Sequence, residues 1–530
     1  MITWHNRNKY FIFLVTALNL TIVAEFFFTA SARNAKNILT TCLLHGLFVL
    51  AFAVFVALLS DCIFRKTVIN RIFKAVFLII SIVMFFIDIF SLYFYECRLD
   101  KGMLNVILGT KYAEANEFFV NYITQPGFLM CLAIVLLCIV CAGWVYSQLS
   151  KTKIFAVVIL VVAVISAAVG IHKKFIVRDY LSPFRIISMS WGVYRENAEL
   201  EEMLKSSKKE IKLTRNESSI PNFVFILGES TSRHHMSLYG YDLPTNPKLT
   251  ARKDHGELFL FTNVTSPNAQ TIPVMEKLFT FYNHETSGKW FTYTNLFSIL
   301  RSAGYKTIWL SNQETMGKYS TAGKFYANQG DIGKFLLVWD SYTLAHNYDG
   351  DILPALDAII SESDIEKLFY VIHLLGTHAD YALRYPSEYS KFTASDEDGK
   401  GIDGLTEAQK KIRAEYDNAV LYNDFIVDEI IKRFEDKNAI VIYISDHGEE
   451  VYDTRKFHGH SERNSSRFML EIPMMIWTSS EFRKNYPALC TRISKSTEKA
   501  FMTDNMIHAI LDIMQIETVE YESSKSFLEQ

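Results

Sequence analysis

Apolar positions are unevenly spread along these 530 residues. Before residue 175 they gather into five long runs, over about 10–29, 39–60, 73–95, 127–147 and 154–171, with no polar face at helical spacing. Each run is long enough to cross a hydrocarbon core of ~30 Å as a helix. The pattern predicts a five-helix transmembrane domain over 1–175. No small-residue cleavage site follows the first run, so it reads as a retained span. Residues 96–126 keep helical spacing with mixed polarity, which predicts a loop lying on the membrane surface. Residues 176–218, with the polar stretch "NAELEEMLKSSKKEIKL", read as a bridging helix and linker.

From Pro221 onward the pattern changes to short apolar runs alternating with helical stretches. "NFVFILG", "KTIWLSN", "KLFYVIHLLG", "AIVIYISD" and "PMMIWTS" read as buried strands, and "NLFSILRSAG" and "YDNAVLYNDFIVDEIIKRFEDK" as helices. This alternation predicts an α/β domain over 219–530, a largely parallel central sheet flanked by helices. In such sheets ligands gather beyond the carboxyl ends of the strands. The polar residues there are Glu229, Asn312, His378, Asp446 and His447.

Charge adds an orientation. Arg7 and Lys9 precede the first run, Arg65, Lys66 and Arg71 separate the second and third, and Lys151 and Lys153 the fourth and fifth. With these on the cytoplasmic side, an odd number of spans places 172–530 outside. Arg33, Lys36, Arg98, Lys101 and Lys111 on the opposite side make the bias modest. A net charge of −3 predicts no nucleic-acid partner. Of the seven cysteines only Cys490 lies in the C-terminal part, so no disulfide can form within it.

The candidate chemistry sits at the strand ends. Glu229 follows one strand, and Asp446 and His447 follow another. Alone, such a Glu can simply cap a helix; together the three offer two carboxylates and an imidazole. That set suits Zn²⁺, with Mn²⁺ possible, and leaves a position open for a reacting group. In "TSPNAQTIPVMEKLFTFY", Thr271 precedes Pro273, where a helix can begin. Its hydroxyl would then stand at a helix N-terminus, where a phosphate is favoured. Coordination to Zn²⁺ would stabilise its alkoxide. Local sequence alone favours reading Thr271 as an N-cap, and Thr265 and Ser266 are rival nucleophiles farther from the helix start.

At this point a resemblance becomes specific. Residues 221–525 resemble the alkaline phosphatase/sulfatase superfamily, and with the apolar runs in front the chain resembles bacterial membrane-bound phosphoethanolamine transferases. The motifs that carry this are "GEST.R…SLYGY…TNP" (Gly228 to Pro247), "RSAGYKTIWLSNQ", "GTH" (Gly376 to His378), "SDHGE" (Ser445 to Glu449) and "FHGH" (Phe457 to His460). The resemblance implies a zinc site of Glu229, Asp446 and His447, with Thr271 accepting the phosphoethanolamine group. It implies that His378 and His458 bind substrate phosphate and take part in catalysis, with His460 as a neighbour. Asn312 or Gln313, and Lys318, fall where donor-contacting residues are expected. The implied donor is phosphatidylethanolamine and the implied acceptor a lipopolysaccharide-type glycolipid, with the catalytic domain on the periplasmic side of a bacterial inner membrane.

The chain departs from lipid A-directed members, which often carry cysteines flanking the threonine loop. The "NAQTIPVMEKLFTF" context is closer in look to the subgroup modifying core heptose. The Cys/Ser-x-Pro-x-Arg pattern of sulfatases is missing: Ala269 and Met275 stand where Arg would. Metal-dependent phosphodiesterase and glycerophosphate transferase remain neighbouring readings. An inactive lipid-binding or sensing protein is the alternative from another class, against which the intact set Glu229, Thr271, Asp446 and His447 argues.

Overall fold

The structure is a computed structural model that describes residues 2–21, 24–25, 35–64, 67–95, 126–149, 182–204, 210–314, 322–337, 348–362 and 366–528, with a few positions between 98 and 125. The chain divides into two compact units, Met1–Glu196 and Asn197–Gln530.

The first unit contains helices α1 (Ile2–Leu18), α2 (Ala35–Ile63), α3 (Thr67–Tyr95), α4 (Pro126–Leu149) and the beginning of α5 (Ser182–Leu204). Among the described residues, three helical segments are long and apolar enough to cross a membrane: His45–Ile63, Thr67–Tyr95 and Pro126–Trp144. Asn8–Leu18 is a shorter apolar helix. The expected fifth span over 154–171, the end of the first, and most of the surface loop 96–126 lie outside the described residues. On α3, Ile72, Val76, Ile79 and Val83 are exposed, whereas Ser81, Phe85, Asp88, Ile89 and Leu92 are buried. A wholly apolar face turned outward, with the helix's polar Ser81 and Asp88 turned inward, is the reverse of a water-soluble helix and suits a lipid surround. Asp88 is fully buried and accepts hydrogen bonds from Ser182 at 2.5 Å and from Arg185. The start of α5 is thereby fastened to α3.

The second unit is built on a seven-stranded sheet. Its strands are β1 (Asn222–Gly228), β2 (Leu258–Phe261), β3 (Lys306–Glu314), β4 (Ile332–Leu337), β5 (Leu368–His373), β6 (Ala439–Ser445) and β7 (Met474–Thr478), in the order β2-β7-β6-β1-β5-β3-β4. Strands β6, β1, β5, β3 and β4 are mutually parallel. Strand β7 runs antiparallel to both β6 and β2, so the sheet is mixed. The five strands expected from the apolar runs are all present. The two that were not expected, β2 and β4, are the edge strands, and β2 has only four residues. The run in β2, "LFLF", is only four residues long, and that in β4, "IGKFLL", is broken by Gly333 and Lys334, as the half-exposed position of an edge strand allows. The central strands β1, β5 and β6 are apolar and buried on both faces, and two hydrophobic cores cover them.

Helix α6 (Thr271–Leu278) and α7 (Leu296–Ser302) contribute to the first core, and α8 (Glu407–Lys432) to the second. α8 begins well before the expected Tyr416 because Thr406 and Gln409 form a reciprocal capping box. Its buried face also carries charge. His235, in the loop after β1, donates to Asp417 of α8 at 2.6 Å and to Asp453 at 3.2 Å. Arg413 reaches Asp453 at 2.7 Å and Glu397 at 2.9 Å. Tyr416 anchors the same loop, donating to the Ser230 carbonyl at 2.7 Å and accepting from the Ser232 amide at 2.8 Å.

Burial opposes a charge on His235, but Asp453 and Asp417 outweigh it and push the imidazole up to about 9. Since this exceeds its ordinary 6.5, the stabilisation is complete below pH 6.5 and is lost as pH rises through about 9. Removing one partner from a buried ion network strands the others. His235→Ala is therefore expected to cost about 3 kcal/mol, seen as a lower urea midpoint of the full chain at pH 6 to 7. An unchanged midpoint would show that Arg413, on Asp453, and Tyr241, which donates to Asp417 at 2.7 Å, suffice for the two aspartates.

Candidate active site

The register of the sheet brings the first two acids together. Gly228 pairs with Ser445 at the ends of the parallel neighbours β1 and β6, so the next residues, Glu229 and Asp446, leave the sheet side by side. His447 follows at once. One ligand atom each from Glu229, Asp446 and His447 lies within 4.8 Å of the others, and all three residues are buried. The backbone is held close here: Gly376 has φ +56, and a Cβ would stand 2.7 Å from the Glu229 carbonyl oxygen. Thr377 donates to that carbonyl through its amide at 3.0 Å and its hydroxyl at 3.1 Å.

Thr271 completes the group from a third element. It is the first residue of α6, whose N-cap is Gln270. Its hydroxyl donates to Glu229 at 3.0 Å and lies 3.2 Å from His447 Nε2. The rivals sit elsewhere. Thr265 is paired in a short parallel ladder with Met502, and Ser266 is buried, donating to the Asn268 carbonyl at 2.8 Å.

Electrostatics mark a concentration of charge in a dry place. Burial and the neighbouring Glu229 push Asp446 up to about 8. Burial opposes a charge on His447, yet Asp446 and Glu229 drive it up to about 10. Burial also opposes ionisation of Glu229, but its hydrogen bond to His447 and that imidazolium's charge hold it well below the usual carboxylate range. Three buried ligand groups balance here only by sharing protons. Asp446 Oδ2 is buried with no hydrogen-bond partner among the described residues. His447 Nδ1 lies 2.8 Å from the Gly448 carbonyl, so Nδ1–H donates there and Nε2 is the atom facing the acids, free to bind a cation once it gives up its proton. Two carboxylates, an imidazole and a hydroxyl with an orphaned acceptor fit a divalent cation, and the nitrogen donor suits Zn²⁺.

The other expected residues separate. Gln313 reaches the cluster, donating to Glu229 at 3.3 Å and to the Leu374 carbonyl at 3.0 Å. Asn312 does not; it is fully buried and donates to Asp349 at 2.8 Å. Asp349 in turn accepts from the Leu375 and Gly376 amides, so Asn312 supports the loop against Glu229. Lys318 lies outside the described residues. His378 Nδ1 is 2.6 Å from the Ala379 carbonyl. His458 pairs with the Tyr452 hydroxyl at 2.9 Å, and burial lowers its imidazole. The His460 ring lies tilted against that of His447, with centroids 4.2 Å apart, and pairs with Glu449 at 2.8 Å. Glu449 was not singled out from sequence, although it stands in the "SDHGE" motif. It is buried and also accepts from Tyr381 at 2.7 Å.

The Sulfatase family model matches residues 221–516. Phosphoethanolamine transferase EptC of Escherichia coli O18:K1:H7 is 34% identical over 308 residues, which cover 57% of this chain and 52% of that protein. The chain thus spans about half the length of the curated relatives it matches first. The C-terminal periplasmic domain of EptC from Escherichia coli, solved in complex with Zn, superposes with a TM-score of 0.56 at 31% identity, covering 61% of this chain and 90% of that one. Lipooligosaccharide phosphoethanolamine transferase A (EptA), an integral membrane protein from Neisseria meningitidis, shares the fold with a TM-score of 0.67 at 20% identity, over 98% of this chain and 97% of that one.

Proposed function

Because the chain belongs to the sulfatase family, we propose that it uses this scaffold as a membrane-anchored phosphoethanolamine transferase. The donor is phosphatidylethanolamine, and the acceptor is an envelope glycolipid, either lipopolysaccharide core heptose or lipid A. The observation that carries the reading is the Thr271 hydroxyl, set at the start of α6 and touching both Glu229 and His447. The names of the relatives, and the Zn complex of one of them, support it.

Glu229, Asp446, His447 and Thr271 Oγ1 are the residues that would hold Zn²⁺. Bound there, it supplies Lewis acidity that favours the threonine alkoxide and offsets charge on phosphoryl oxygens. The chain's own groups do the rest. Thr271 Oγ1 passes its proton to the Glu229 carboxylate it donates to and attacks the phosphorus of the donor; the bond to the diacylglycerol oxygen breaks, and that oxygen takes up a proton from His378 or His458. An acceptor hydroxyl then attacks phospho-Thr271 and loses its proton to the same histidines; the phosphorus bond to Thr271 Oγ1 breaks, and that oxygen recovers its proton from Glu229. The N-terminal end of α6 favours the anionic group held there.

The anchor follows from the substrates, both of which are held in membranes. In this reading five spans over 1–175, the fifth at 154–171, and the bridge 176–218 tether the catalytic domain 219–530 on the periplasmic face of a bacterial inner membrane. A reporter active only outside the cytoplasm, fused after Gln530, should be active; activity from a cytoplasm-specific reporter alone would reverse the topology.

The activity is tested with detergent-purified full chain, headgroup-labelled phosphatidylethanolamine and lipopolysaccharide. Label should move to the glycolipid with equal release of diacylglycerol. Steady release of free phosphoethanolamine without acceptor would instead identify a phosphodiesterase. No turnover of the lipid at all would leave the inactive binding protein.

A further inference from the structure

The loop leading into Thr271 has no cysteine, yet it is fixed at both ends. At its start, Thr265 pairs with Glu471, and the Ser266 amide donates to the Leu470 carbonyl at 2.8 Å. At its end, the half-buried Glu462 accepts two hydrogen bonds, from the Asn268 side chain at 2.6 Å and from the Ala269 amide at 2.8 Å. Asn268 is held from its other side as well: Lys277 donates to its carbonyl oxygen at 2.8 Å and to the Pro273 carbonyl at 2.9 Å. Ala269 is fully buried against Phe457 and Met469.

The chain Lys277 to Asn268 to Glu462 has a direction. A lysine ammonium can only donate and an ionised carboxylate can only accept, so the two ends dictate which way the amide between them points. Both outer bonds involve a charged group and belong to the stronger class of hydrogen bond. Lys277 is itself on α6, so the relay folds the last turn of that helix back onto its first and ties both to Glu462. Glu462 stands shortly after His458 and His460. The strand-end acids do not require these contacts, and no apolar packing demands a carboxylate at this position.

We propose that Glu462, with Asn268 and Lys277, forms a clamp that positions the Thr271 hydroxyl and couples its loop to the segment bearing His458 and His460. Glu462 is a positioning residue: it touches neither the hydroxyl nor the Glu229 carboxylate, and acts through the backbone of 268–269. The inference rests on the reading of Thr271 as nucleophile. A misplacement of about 1 Å can cost a reaction about 10²-fold. Loss of the clamp should therefore slow attack by Thr271 without weakening donor binding.

The test compares Glu462→Ala, Glu462→Gln and Lys277→Met in the purified full chain. The rate of phosphoethanolamine loading on Thr271 and kcat should fall by about 10- to 100-fold in Glu462→Ala, with KM and bound zinc kept. Glu462→Gln retains one acceptor oxygen and should fall between it and the wild type. Amide hydrogen exchange across 266–273 should quicken in the same order. Loading and kcat within about twofold of wild type in both Glu462→Ala and Lys277→Met would overturn the clamp. So would a loss of kcat that only tracks lost zinc, or unchanged exchange across 266–273. If wild-type protein loads no group on Thr271 while exchange still responds to Glu462→Ala, the nucleophile assignment has failed and the clamp stands as a backbone device alone.

Discussion

Thr271→Ala is expected to abolish transfer, lowering kcat by about 10³-fold or more, because no neighbouring group can replace the nucleophile of a two-step reaction. The loss should be chemical and not architectural. Thr271 contributes one hydroxyl at the start of α6, whereas Glu229, Asp446 and His447 remain to hold the cation. Zinc content should therefore stay near that of the wild type. Incubated with phosphatidylethanolamine and no acceptor, the wild type should release diacylglycerol in an amount matching enzyme and carry phosphoethanolamine on Thr271; the variant should show neither. Thr271→Ser keeps the hydroxyl and should retain part of the activity. Thr265→Ala and Ser266→Ala should still load, since neither hydroxyl contacts the acids. Peptide mapping that finds the adduct on Thr265 or Ser266 would overturn the assignment.

Removing a ligand should cost the cation as well as the reaction. Glu229→Ala, Asp446→Ala and His447→Ala are each expected to lower bound zinc and to reduce transfer to background, with the protein still in the membrane. The proton inventory adds a pH dependence. In the metal-free site Asp446 is raised to about 8 and His447 to about 10, so at neutral pH both carry protons that a cation must displace. Zinc affinity should accordingly rise from about pH 6 to about pH 8, and titration calorimetry in buffers of different ionisation enthalpy should report proton release. Full zinc content in all three variants, or an affinity independent of pH, would make the strand-end cluster a structural ion network.

The same proton sharing bears on stability. With no cation bound, two buried carboxylates and one imidazole are held together by mutual neutralisation, and the low dielectric makes any unpaired member costly. The loop after β1 is fixed on its other side by the His235–Asp417–Asp453 network, so Glu229 stands between two charged clusters on one rigid segment.

What the sequence determined is what short-range pattern encodes. The apolar runs fix which segments suit lipid, and the buried runs fix β1, β3, β5, β6 and β7. A strand end is readable because a run stops there, and so Glu229, Asp446 and His447 could be named from local pattern alone. Pattern carries neither direction nor partner. That β7 runs antiparallel, and that β2 and β4 form the edges, depended on chain crossings no window contains. The choice among the candidate nucleophiles depends on folding in the same way. Local sequence offers Thr271, Thr265 and Ser266 as rivals; only folding puts Thr271 next to Glu229, 42 residues away, and His447, 176 residues away. It also turns Gln313 toward the acids and its neighbour Asn312 away, because successive residues on a strand face opposite sides. The Glu449–His460 pair and the Glu462 clamp are likewise products of tertiary packing: a carboxylate acquires its role from the donors that burial forces it to satisfy, and those donors come from distant parts of the chain.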